Sequence, residues 1–182
     1  MRARHGVRFE AVTDAELPTA SATYTWVDPQ VALAQLPTLS GLEYLGGILA
    51  GSIPQPPIAA IMGMSIVSVE PGEVVFETRP TEAHFNPLGT IHGGLACTVL
   101  DTVLGCAAHS TLPAGTGYTS IDIAVSYVRP IQPGHGPLRA TGRVRKGGSR
   151  VIFADAELVD RDGTLLATAT SSLLVFSRLP LY

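Results

Sequence analysis

Between Asn86 and Asp101 the chain reads N-P-L-G-T-I-H-G-G-L-A-C-T-V-L-D. His92-Gly93-Gly94 opens a run of helix-compatible apolar residues. Asn86 lies six positions before His92, and Asp101 lies nine positions after it. Glycines at a helix start leave backbone N–H groups unencumbered, aimed at whatever anion or polarised carbonyl lies beyond the helix end. That is half of an acyl-transfer site, with the Gly93 N–H as oxyanion donor. Asp101 is the candidate for the other half, as a general base on water or as a nucleophile. Asn86 is placed to hydrogen-bond the carbonyl oxygen or to orient the reacting group.

Each of these residues has a plainer reading. Asp101 falls near Thr98 and Thr102 on the helical wheel, where it would mark a thin solvated stripe. The rest of the helix is apolar, and a buried carboxylate is costly without partners, which favours chemistry. His92 either fixes the loop through ring hydrogen bonds or transfers a proton. His84, two residues before Asn86, and Gly94 are substrate-binding candidates at the mouth. His5, His109 and His135 are given no role. No His, Cys and carboxylate spacing matches a metal site, so neither a metal nor a cofactor is expected.

The elements that must position these groups follow from periodicity and turn signals. A helix is predicted from about His92 to Ser110, apolar nearly all round through Leu95, Ala96, Val99, Leu100, Val103, Leu104 and Ala107. Such a helix is buried, and the natural burial is inside a curved antiparallel sheet. Strands are predicted at Met64–Glu70 and Val74–Arg79, turned by Pro71-Gly72, and again at Tyr118–Arg129, Leu138–Lys146, Arg150–Asp160 and Thr164–Phe176. Gly147-Gly148 and Asp162-Gly163 read as turns. The fold class is therefore α+β, a curved antiparallel sheet wrapped around one long central helix. Residues 1–57 are expected to form an N-terminal arm with a short helix, opened by a Ser40/Glu43 capping box and ended near Gly51. Residues 58–182 form the main domain, and Trp26 and Tyr24 are candidates for pinning the arm to it.

The helix also sets a distance. Gly93 and Asp101 are eight residues apart, roughly 12 Å along the axis at about 1.5 Å per residue. One carbonyl cannot touch both. If both act on one substrate, they come from different chains, with the two helices antiparallel.

Composition narrows the classes. Charged residues make up 15% of the chain, below the roughly 25% typical of soluble proteins, so part of the surface is expected to be covered by self-association. A net charge of −3 argues against a general nucleic-acid binder. Tyr44–Val69 holds no charge, but its glycines and prolines break any spanning helix, so no membrane partner is expected. Arg2, Arg4 and Arg8 precede no apolar segment, and Glu10, Asp14 and Glu16 count against a transit peptide. Cys97 and Cys106 lie nine apart on one helix, on nearly opposite faces, and cannot pair. They read as buried thiols of a reducing, cytoplasmic compartment. A catalytic cysteine would need neighbours that neither has.

The offsets of Asn86, His92-Gly93-Gly94 and Asp101, with the strand-like Ser120–Pro130 after them, resemble the hotdog-fold acyl-CoA thioesterases of the PaaI-like branch. The resemblance runs from about Ile58 to Phe176. It implies the hotdog fold and hydrolysis of acyl-CoA to free acid and coenzyme A. It also implies a composite site shared across a homodimer, which is expected to pair into a dimer of dimers. At Ser120 it implies a hydroxyl that holds the water, for which the alternative is a polar residue at a strand start. Coenzyme A carries phosphates, and Ile131–Ala154 holds Arg139, Arg143, Arg145, Lys146 and Arg150 with no acid. Those cations either bind phosphate or form a charged outer sheet face. Arg129-Pro130 resembles a recurrent family feature near the nucleotide. The other function class is a non-catalytic acyl-CoA binder or sensor on the same fold, which would not need Asp101. A hotdog hydratase pattern is not found.

Overall fold

The helix that carries the candidate site, α4, runs from Gly93 to His109 and is buried along most of its circumference, including Leu95, Val99, Leu100, Val103 and Leu104. In this computed structural model, which describes residues 17–176, a seven-stranded antiparallel sheet curves around it. The strands are β1 (Met64–Glu70), β2 (Glu73–Thr78), β3 (Gly117–Ser120), β4 (Ala124–Tyr127), β5 (Leu138–Lys146), β6 (Val151–Val159) and β7 (Leu165–Phe176). Their order is β1-β2-β5-β6-β7-β3, with β4 also paired to β7. The expected curved sheet around one long helix is therefore present. The readings made on Arg2, Arg4, His5, Arg8, Glu10, Asp14 and Glu16, and the end of the main domain beyond Phe176, lie outside the described residues.

Alternation builds the sheet's two faces. On β6, Ile152, Ala154, Ala156 and Leu158 point into the core, while Asp155 and Glu157 point out. On β5, Leu138, Ala140 and Gly142 face the helix. Gly142 is required there, because a β-carbon would run into the Val103 carbonyl of α4. The sheet thus touches the helix backbone directly beside Leu104, and α4 is locked against β5.

The strand expected over Tyr118–Arg129 is two strands. Ser120 pairs with Leu173 and Ala124 with Thr170, so the edge carries one extra residue against β7. Asp122 causes the break: its Oδ1 accepts the Ser172 N–H at 2.9 Å, and its carbonyl accepts the Ser171 hydroxyl at 2.7 Å. A side chain has taken a donor that would otherwise enter the ladder.

Three helices precede the sheet. α2 (Gly41–Leu49) has the expected capping box: Ser40 Oγ accepts the Glu43 N–H, and the Glu43 carboxylate accepts the Ser40 N–H at 2.8 Å. α1 (Pro29–Leu33) and α3 (Pro57–Met62) are additions to the sequence reading, each of one turn or slightly more and each opened by proline. Proline is well suited to a first helical position, where its missing N–H would have no partner. Ala32, Leu45, Ile48 and Ile53 join the same buried cluster as the α4 side chains. Tyr24 and Trp26 are exposed on the arm.

Candidate active site

The start of α4 is built from three local devices. His92 is the N-cap, and its Nδ1 accepts the Gly94 N–H at 2.8 Å while its carbonyl accepts the Leu95 N–H. The ring therefore serves the helix end, and the Gly94 N–H is used inside the chain. No acceptor among the described residues takes the Gly93 N–H. Asn86 staples its own loop: Oδ1 accepts the N–H groups of Leu88 and Thr90, and Nδ2 donates to Thr90 Oγ1 at 2.7 Å. One Nδ2 proton remains available, because the amide carries two.

Tyr127 completes this half, and the sequence reading did not single it out. Its hydroxyl donates to the Gly93 carbonyl at 3.1 Å. A β-carbon on Gly93 would lie 3.1 Å from the Tyr127 ring. Asn86, Thr90, Gly93, Tyr127, Arg129 and Pro130 line one open groove of ≈ 340 Å³. Arg129 is anchored by a 2.9 Å bond from Nη1 to the Leu165 carbonyl. The only forward signal for Tyr127 is its place two residues before Arg129-Pro130, since its partner is 34 residues away.

The second half lies two turns along α4. Ser120 Oγ donates to Asp101 Oδ1 at 2.8 Å, and no donor among the described residues takes Oδ2. Thr98 and Thr102 turn their hydroxyls back onto the Gly94 and Thr98 carbonyls. The polar stripe is thus satisfied by its own helix, and Asp101 alone reaches out, to β3. Cys106, one turn beyond, is no nucleophile: burial, with the Asp101 charge adding to it, pushes its thiol up to about 12, so it stays protonated at neutral pH.

Other expected residues have partners of their own. Both ring nitrogens of His84 are used within the chain: Nδ1 accepts the Thr81 N–H at 3.0 Å, and Nε2 bonds the Ile61 carbonyl at 3.0 Å. The ring ties α3 to the loop before α4. Arg143 is held between Glu73 at 2.8 Å and Glu157 at 3.2 Å, and Arg145 pairs with Asp155. The acids come from the neighbouring strands β2 and β6, which a stretch free of acids in sequence cannot reveal. Arg143 and Arg145 are therefore ion-paired on the outer face of the sheet. Lys146 and Arg150 are exposed beside the β5–β6 turn. Among the described residues no cluster of His, Cys, Asp or Glu is arranged to hold a metal, and no helix is long and apolar enough to cross a membrane.

Residues 88–167 match the family model described as the thioesterase superfamily. Human acyl-coenzyme A thioesterase 13 is 32% identical over 105 residues, which cover 57% of this chain and 74% of that protein. Among solved structures, a phenylacetic acid degradation-related protein from Ralstonia eutropha JMP134 is 32% identical, with a TM-score of 0.66 over 72% of this chain and 98% of that one. The PaaI protein of the E. coli phenylacetic acid degradation operon shares the fold at 22% identity, with a TM-score of 0.66 over 76% of this chain and 96% of its own.

Proposed function

This chain belongs to the thioesterase superfamily, and on that premise we propose that it hydrolyses acyl-coenzyme A thioesters at a site assembled from two copies. The observation that carries the reading is the Asp101–Ser120 pair, a carboxylate with one oxygen taken at 2.8 Å and the other left for water. Asp101 Oδ2 removes a proton from water, whose oxygen attacks the thioester carbonyl carbon. The Gly93 N–H of the other copy, at the positive end of α4, holds the oxyanion, with the remaining Asn86 amide proton beside it. The C–S bond then breaks, and the sulfur leaves with the proton that Asp101 accepted. Free acid and coenzyme A depart.

Distance supports two copies. α4 is continuous from Gly93 to His109, so its start and Asp101 remain roughly 12 Å apart. The β3/β4 edge of the sheet supports it too, because Ile121, Tyr127 and Val128 are exposed there. A sheet edge with exposed apolar side chains is a ready surface for a second copy.

The test is free-thiol release from short, medium, long and aromatic acyl-CoAs, with Asp101→Asn beside the wild type. Release that depends on Asp101 supports the reading. Silence across the panel from folded, self-associated protein overturns it and favours the binder or sensor.

A further inference from the structure

A second space, ≈ 220 Å³ in volume, lies between α4 and the arm. Its floor is the α4 ridge of Thr102, Cys106 and His109, and its roof is Val27, Ala32 and Leu33. Apolar side chains of α2, β1 and β2 close the sides. Asp101 and Ser120 do not line it, but two relationships connect it to that pair. Thr102 follows Asp101 on the helix. Tyr118, another lining residue, is two positions before Ser120 on β3 and so projects from the same strand face.

Its chemistry selects the occupant. The lining is overwhelmingly carbon, and the few polar groups are uncharged. Burial pushes His109 down to about 4 and the Cys106 thiol up to about 12. No charged end of a ligand finds a counter-charge there, whereas an apolar chain finds mostly apolar walls. The size sets a scale: a cavity of about 150 Å³ holds one six-carbon ring. In proportion, ≈ 220 Å³ takes on the order of nine carbons.

We infer that this cavity receives the acyl chain of the thioester, an uncharged medium-length chain, and that Val27, Ala32 and Leu33 of the arm set the length accepted. The inference rests on the hydrolytic reading of Asp101, since it names the substrate of that same site.

The test is kcat/KM along a saturated series from acetyl- to palmitoyl-CoA for wild type, Ala32→Phe and Leu33→Ala. Wild type should gain about fourfold per methylene until the cavity is full, then fall by palmitoyl-CoA. Ala32→Phe fills the roof and should lower the decanoyl-to-butyryl ratio by at least about tenfold. Leu33→Ala should move the optimum to longer chains. A wild-type profile indifferent to length, or variants that fold and keep the wild-type profile, would overturn the inference. If Ala32→Phe fails to fold, Leu33→Ala decides alone.

If no acyl-CoA is cleaved, the hydrolytic reading falls and the cavity is tested separately with n-octanol, a neutral probe. Trp26, the one tryptophan of the chain, adjoins Val27 and reports the titration by fluorescence. Binding weakened at least about tenfold by Ala32→Phe upholds an apolar-chain site. Absent binding, or binding the variant leaves unaltered, rejects it.

Discussion

Tyr127 covers Gly93: its hydroxyl bonds the Gly93 carbonyl at 3.1 Å, and its ring lies 3.1 Å from where a β-carbon at 93 would sit. Gly93→Ala must therefore push the ring or tilt the first turn of α4. Turnover of the best acyl-CoA should fall by roughly a hundredfold as the oxyanion donor leaves its place. Adding Tyr127→Ala should return part of that loss by making room. If the double variant is no faster than Gly93→Ala, steric displacement is not the cause.

Asp101→Asn should retain the fold and self-association while turnover falls by about two orders of magnitude or more. Ser120→Ala should cost about tenfold, since it frees Asp101 Oδ1 but leaves the carboxylate. A site shared between copies predicts complementation. Mixing Asp101→Asn with Gly93→Ala should regain activity, because some mixed dimers hold one intact pairing. Subunit exchange verified by mass spectrometry without recovery counts against the shared site.

His109 makes stability depend on pH. Its ring is packed between Tyr44 and Tyr118, with centroids 5.8 and 5.5 Å away. Burial holds its folded-state value at about 4, below the 6.5 of a free histidine. As pH falls, the unfolded chain takes the proton first, so this contribution is intact above pH 6.5 and is lost towards pH 4. The full loss is roughly 3 kcal/mol. His109→Phe keeps an aromatic ring between the tyrosines and should flatten this part of the profile. Urea midpoints across that range decide it, and equal slopes for variant and wild type would sink the assignment.

Gly142→Ala places a methyl group against the Val103 carbonyl and should destabilise by about 1–3 kcal/mol. Gly46, inside α2 with open space around it, should respond oppositely, and Gly46→Ala should stabilise by about 0.5–1 kcal/mol. Denaturant midpoints of the two variants test the contrast. A tolerated Gly142→Ala would mean that helix and sheet have room to part at this contact.

The sheet, the long helix and the Ser40/Glu43 cap were legible because each is written in short-range pattern: alternation, an all-apolar helix, a reciprocal pair three residues apart. The candidate site was legible only where its parts are close in sequence. Asn86, Gly93 and Asp101 announce themselves, but Tyr127 meets Gly93 across 34 residues and the acids that occupy Arg143 and Arg145 sit on other strands. α1 and α3 are too short to develop a period. His109 looked incidental because nothing local reveals that the arm folds over it.

The direct contact of β5 with α4 at Gly142 fastens Asp101 to a frame assembled after Met62, while the roof over Thr102 and Cys106 comes from residues before it. On the proposed reading, reactivity and chain-length choice are thus carried by separate stretches of the chain. Rewriting the leading segment would then alter the cavity roof without touching Asp101, Ser120 or Gly93. Chimeras joined at Gly63 would separate the two contributions in the laboratory.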